Sequence, residues 1–497
     1  MTQIRKVDGR RRLLLTVAWG LGLTGCTSPH TARPEAPLAA PDAWAAELTA
    51  RTRADISRWW QHFGEPELDA LITATLTGNL DLAAARARVR TLRAQAEVTG
   101  SAARPALGVT GQGGRLRDDV FTGLFGIPDQ SRTIYQTGFD ASWEIDLFGG
   151  VAARTRAARA EADAAALGVE DLAISLTAET ARQWLELRGQ RERHRILLAR
   201  IATERERATL LADRVRAGLS TDAELAVVQA DLATLEAAIP PLAEVIDRTG
   251  YRLAVLGGQS PARVQLGEQA QRLPEAPVVP DPGLPAELLA RRPDVRAAVL
   301  RLDATGARID AARADRLPRF MLTGLIGARG DEGRTFSVGP GLIYQLLPQI
   351  RLPLLAGGGL KAQVEAREAE QEFARQRWGQ VMLDALEDVE GALTGLTRER
   401  ERLSAQRQAL ERARLAETLA TARERGGLED YFPVLDARRR TWELEEAEVQ
   451  SNVRLLTQTV ALYKALGGGW REEGETEPGI KGTGERSDNG VAIGPSR

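Results

Sequence analysis

The 497-residue sequence contains one cysteine, three methionines, three histidines and only 5% aromatic residues. One thiol excludes a disulfide within the chain, so no covalent staple holds the fold. The histidines stand far apart at His30, His62 and His194, without an HExxH pair. A phosphate-binding loop and a glycine fingerprint between strand and helix are missing too, so the chain reads as a non-enzyme without a cofactor. Beyond residue 25 no apolar run reaches eighteen residues, which argues against a membrane-spanning helix in the mature chain. With a formal net charge of −2, the sequence has no basic excess for phosphate, and no nucleic-acid partner is expected. Its charges are interleaved Arg and Glu, as on long solvated helices.

What is present begins at the N-terminus. A basic run, Arg5 to Arg12, precedes the short apolar stretch "LLLTVAWGLGLTG" and then Cys26. That order is a signal peptide over residues 1–25, too short for a bilayer span and ending on small residues. Leu23-Thr24-Gly25-Cys26 resembles a bacterial lipobox, which makes Cys26 the lipid attachment point and the covalent lipid the only non-protein group expected. Ser28, two places on, agrees with passage to the outer membrane. Residues 26–58 then form a lipidated linker.

The remainder is a tandem duplication. "AARPALGVTG" and "DRLPRFMLTG" set Pro105 against Pro318, 213 positions later, and "RVRAGLS" and "RERGGLE" set Gly218 against Gly427, 209 later. The first repeat spans 59–256, a mid-height connection 257–284, the second repeat 285–470, and a polar tail expected to be disordered 471–497. Within the repeats, Ala152 to Ala217 and Leu360 to Arg425 are free of proline over 66 residues each, long enough for helices of roughly 100 Å. In the second, Met382, Leu386, Val389, Leu393, Leu396, Leu403 and Leu410 mark a coiled-coil seam; Leu197, Ile201, Ala208, Leu211 and Val215 mark a looser one in the first. The shorter stretches Thr221 to Leu256 and Pro285 to Arg316 are expected to stack end to end beside a long helix.

Strand signals precede each glycine-rich turn. Tyr135, Thr137, Phe139, Ala141, Trp143, Ile145 and Leu147 alternate with polar or small residues. Phe336, Val338, Leu342, Tyr344 and Leu346 do the same, as do Phe320, Leu322 and Ile326, whereas "ALGVTGQGG" is the weakest of the four. Lipid is the simplest cover for the apolar face. Four strands cannot close a barrel and an open edge is not viable in hydrocarbon, so three copies and twelve strands are expected.

The lipobox, "SWEIDLFGG", "LARRPDVRAA", "IRLPLLAGGG", "GGLEDYFPVLDARR" and "YKALGGGW" together resemble the TolC-like outer-membrane efflux factors, in the OprM/NodT lipoprotein branch. The resemblance implies an α+β membrane protein: a homotrimeric twelve-stranded β-barrel in outer-membrane lipid, continuous with a long periplasmic α-helical barrel. It implies a passive duct for drugs or other solutes, docked to a periplasmic adaptor and an inner-membrane pump of RND or MFS type. Adaptor-docking tips fall at Arg216, Gly218 and Ser220 and at Arg425 and Gly427, where glycine ends each long helix. The resemblance places a periplasmic gate at Phe432, Asp436 and Arg439, which lie near one helix face. A coiled-coil lipoprotein tethering the outer membrane is the competing reading, and it leaves the amphipathic strands without a purpose.

Overall fold

A computed structural model describes residues 30–45, 56–117, 131–263, 272–277, 279–331 and 342–469. The signal peptide, Cys26, Ser28, Phe336, Val338, Trp470 and the tail lie outside them.

The same element order occurs twice. The first pass runs α1 (Pro66–Gly78), α2 (Leu80–Ser101), β1 (Ala106–Arg117), β2 (Ser131–Ile145), the long α3 (Gly150–Arg216), then α4 (Asp222–Ala237) and α5 (Ile239–Leu256). The second runs α6 (Pro285–Arg291), α7 (Pro293–Ala314), β3 (Arg319–Asp331), β4 (Leu342–Arg351), the long α8 (Gly359–Arg425) and α9 (Phe432–Ala465). Both long helices have 67 residues, about 100 Å at 1.5 Å per residue. Each starts after a glycine in the left-handed region, Gly149 at φ 73° and Gly358 at φ 81°. The first start is also capped by Asp146, whose carboxylate accepts from the Val151 and Ala152 amides at 3.1 and 2.7 Å. Prolines break the shorter helices: Pro240-Pro241 ends α4 at Ala237, and Pro293 separates α6 from α7 at Arg292.

The end-to-end stacking differs from the sequence expectation. The Asn79 side-chain amide donates to the Leu256 carbonyl at 3.0 Å, and Gly78 approaches Gly257 so closely that an added Cβ would stand 2.5 Å from its oxygen. Helix α2 therefore sits on α5, not α6 and α7 on α5. At the second junction Arg292 Nη1 donates to the Ala465 carbonyl at 2.9 Å, so α7 sits on α9. The cause is the duplication: a strand hairpin returns the chain to the level it left. The helix before the strands and the helix after the tip thus become collinear within one repeat.

Four columns result, in the order α2 over α5 and α4, then α3, then α7 over α9, then α8. Six of the seven seam residues are buried, with Val389, Leu393 and Leu396 fully enclosed and Met382, Leu403 and Leu410 at most 5% exposed, while Leu386 is only partly covered. In the first, Ile201 and Leu211 are buried while Leu197, Ala208 and Val215 are only partly so. At mid-height Trp59 stacks on Tyr463 at 5.1 Å and meets Trp60 and Phe63 edge-on. Burial pushes the Tyr463 hydroxyl up to about 12. The closing glycines dock on this knot through Gly469 N–H to the Ile56 carbonyl at 2.9 Å, tying the end of the second repeat to the segment that opens the first. The outer columns are less covered. Val227, Val245, Tyr251 and Val255 remain exposed, and Asp222–Leu256 is the one described stretch long and apolar enough to cross a membrane by length and composition alone. Its break at Ala238 and its packing on α3 place it in the helical wall, with an apolar face turned sideways.

The strands form one antiparallel sheet, β1-β2-β3-β4, including the weak first strand. Its register aligns Val109, Phe139, Ile326 and Tyr344 in a row across all four strands. All four are exposed, Tyr344 at 80%. The opposite face carries Gln112, Gln136 and Arg329 in one row, and Glu144 and Gln349 about Met321 in another. Gly138 and Gly327 press their backbones together there, where a Cβ on Gly327 would stand 2.2 Å from the Thr137 oxygen.

Residues 30–45 run as a strap along α7 and α8. Arg33 holds Asp303 through two bonds of 2.7 and 2.5 Å, Pro37 lies against Gly379, and Trp44 Nε1 donates to the Gly283 carbonyl at 2.7 Å. At its start Thr31 donates to Asp310 from Oγ1 and from its amide, at 2.6 and 2.9 Å. Burial alone would raise the Asp310 carboxyl; these bonds, with His30 and the charge of Arg156, hold it below the usual range.

Candidate gate at the helix tips

Both long helices end alike, as far from the sheet as the chain reaches. Leu219 N–H donates to the Arg214 carbonyl and Leu428 N–H to the Arg423 carbonyl, closing a Schellman turn around Gly218 at φ 70° and Gly427 at φ 67°. Neither glycine has an atom within 4 Å of an added Cβ, so conformation alone demands glycine there. The following leucines are bare, Leu219 at 68% and Leu428 at 79% exposure. After the first tip, Thr221 and Glu224 cap α4 reciprocally, Glu224 accepting from the Thr221 amide at 2.9 Å. Arg216 pairs with Asp213 on its own helix, while Ser220 is half-buried and Arg425 exposed.

The two tips are joined by Arg214, which binds Asp430 and lies over the Phe432 ring with 5.0 Å between guanidinium carbon and ring centre. Arg214 and the Tyr431 amide, which also donates to Asp430, hold that carboxyl below its usual range. About two turns higher on α3, at Glu206, stands a four-residue clasp. Tyr431 Oη donates to Glu206 Oε1 on α3 at 2.6 Å, and Arg438 Nη1 donates to the same hydroxyl at 3.2 Å. Arg438 also reaches Glu206 at 3.4 Å and Glu417 on α8 at 3.3 Å. Burial first, then the bond to Glu206, raises the Tyr431 hydroxyl above its ordinary value. Three helices thus meet in one polar knot.

The residues singled out in sequence sit beside this clasp. Phe432 is held under Arg214, and Asp436 is 3.9 Å from Arg207 of α3. Arg439 is exposed and makes no ion pair among the described residues. Asp436 and Arg439 share a face without bonding each other. Sequence reasoning missed Arg214, Glu206, Tyr431 and Arg438. The one local signal was the pair Tyr431-Phe432 directly after the second glycine turn. Among the described residues no group of three His, Cys, Asp or Glu is arranged to hold a metal ion.

Comparison with known proteins gives a consistent result. The family model described as outer membrane efflux protein matches residues 71–259 and again 284–468, one segment per repeat. The pyoverdine export outer membrane protein of Pseudomonas aeruginosa is 31% identical over 459 residues, covering 91% of this chain and 96% of that one. The toluene efflux pump outer membrane protein TtgF of Pseudomonas putida is 30% identical over 481 residues, covering 92% and 96%. Among solved structures, the outer-membrane channel OprN superposes with a TM-score of 0.78 at 30% identity, over 88% of this chain and 99% of that one. The Campylobacter jejuni CmeC outer membrane channel shares the fold at a TM-score of 0.82 and 20% identity, covering 90% of this chain and 96% of that one.

Proposed function

The chain belongs to the outer membrane efflux protein family, and from that premise we propose that it is the outer-membrane duct of a tripartite efflux assembly, active as a closed homotrimer. The observation that carries the reading is the sheet. One face is an exposed apolar band, the other is polar, and both edge strands, β1 and β4, lack a partner among the described residues. Water cannot cover the band and hydrocarbon does not tolerate a free edge. The helical wall repeats the problem, with apolar α4 and α5 at one side and Leu415 and Leu419 bare on α8 at the other. A head-to-tail contact joining unlike sides at both levels closes into a ring. Three copies supply twelve strands, an even number within the range of outer-membrane barrels. Native mass spectrometry of the detergent-extracted protein tests this: a single species of three chains is expected, and monomers or an open-ended series would contradict it.

The tips are the adaptor-docking ends, with Arg216, Gly218, Ser220, Arg425 and Gly427 shaping two turns that present Leu219 and Leu428 to a partner. Its pump, of RND or MFS type, lies beyond the adaptor. Phe432, Asp436 and Arg439 form the threefold constriction, and the Tyr431–Glu206–Arg438–Glu417 clasp holds α9 in the closed position. Such a duct performs no covalent chemistry and needs no cofactor. Cys26 carries the lipid. The strap fixes His30 beside Asp310, in the last turns of α7 before β3, and Cys26 stands only four residues ahead of it, at most about 14 Å of chain. Mass spectrometry of the mature N-terminus should find an acylated Cys26; an unmodified one would refute the anchor.

A further inference from the structure

On the face of α7 and α8 turned away from the strap lies a cavity of about 520 Å³, floored by Phe373 and Val381 and rimmed by Arg301, Arg308, Arg367 and Arg377. Two of the four guanidiniums are neutralised, Arg308 by Glu161 at 2.9 Å and Arg367 by Glu370 at 2.7 Å. Arg301 and Arg377 form no ion pair among the described residues, so the cavity has an excess of two positive charges. Phe373 is 69% exposed, a large ring left bare beside them.

The side of the wall follows from the strap. On α7 the strap takes Asp303 and Asp310 while the cavity takes Arg301 and Arg308; at 3.6 residues per turn the two pairs fall on different faces. A strap that leads back to a lipid anchor runs outside the tube, so the cavity opens on the bore. We propose that it is a wall site for amphipathic organic anions, an aromatic body lying on Phe373 with its sulfonate or carboxylate between Arg301 and Arg377. This inference rests on the duct reading and names the cargo class that the duct favours. Its volume is in the range of small-molecule sites, and the planar guanidinium fork matches a two- or three-oxygen anion. Three copies around the bore would raise the local concentration of anions along the exit path.

The test uses the purified assembly in a planar bilayer with naphthalene-1,5-disulfonate as probe and 1,5-dihydroxynaphthalene as its uncharged counterpart. The disulfonate should reduce the single-channel current, and the dihydroxy compound should not. The Arg301→Gln/Arg377→Gln variant should need at least about tenfold more disulfonate for the same block. Should that variant fail to assemble, Phe373→Ser must weaken the block instead. Equal block in wild type and variants, or equal block by both probes, would overturn the site. Isothermal titration of the same assembly separates the two readings. Current without arginine-dependent binding overturns the cavity alone, and arginine-dependent binding without current overturns the duct alone.

Discussion

At the residue scale the central contact is the Tyr431 hydroxyl. It donates to Glu206 across 225 positions of sequence and accepts from Arg438. A hydrogen bond to a charged partner contributes about 1.5–3 kcal/mol when enclosed, and at this partly exposed site about 1 kcal/mol is a fair expectation. Tyr431→Phe keeps the ring and removes that bond, so the open fraction of the duct should rise about fivefold, read as longer openings in single-channel records. Unchanged openings would exclude the clasp as the latch. The shifted groups around it also fix a pH response. Asp430 is depressed, so its contribution is present above the unfolded carboxylate value near 4 and is lost as pH falls through the lower folded value. Tyr431 is raised, so its contribution is present below about 10 and is lost as pH rises through the higher folded value. Conductance should therefore be flat from pH 5 to 9 and rise outside that window; a rise between pH 5 and 6 would implicate other groups.

At the element scale the tips and the strands make separate predictions. Gly218 and Gly427 face open space, so a valine there meets no clash and costs only the left-handed conformation, about 1–2 kcal/mol. Gly218→Val and Gly427→Val should leave assembly and conductance intact while weakening adaptor binding at least about tenfold in a pull-down. Wild-type binding would confine the glycines to a turn-forming role. In the sheet, Phe139→Arg or Tyr344→Arg puts a cation into the apolar row, costing about 2–4 kcal/mol near mid-bilayer, and should reduce the amount of assembled protein in membranes. These elements were legible because their signals are local. Alternation writes a strand, a glycine after a long proline-free run writes a turn, and heptad leucines write the seam that Val389, Leu393 and Leu396 occupy. Glu206 with Tyr431 was not legible, because a lone carboxylate on an Arg/Glu-rich helix resembles its neighbours until the fold pairs it. The helix stacking was misread for a related reason. Length matching permitted several partners, and only the Asn79–Leu256 and Arg292–Ala465 junctions choose among them.

At the scale of the whole molecule, the described chain is a strip of wall four strands and four helical columns wide, open along both sides. Sheet edges and helical columns are open at corresponding sides, so closing one level closes the other, and the strap outside leaves the arginine-rimmed cavity on the bore. A tether between membrane and cell wall would require neither the polar inner face of the sheet nor paired open edges. The most direct measurement is the ion current through a planar bilayer holding the purified wild-type assembly. The account predicts small discrete steps, enlarged when Tyr431→Phe releases the clasp; a bilayer that stays silent with fully assembled protein, wild type and variant alike, would contradict it.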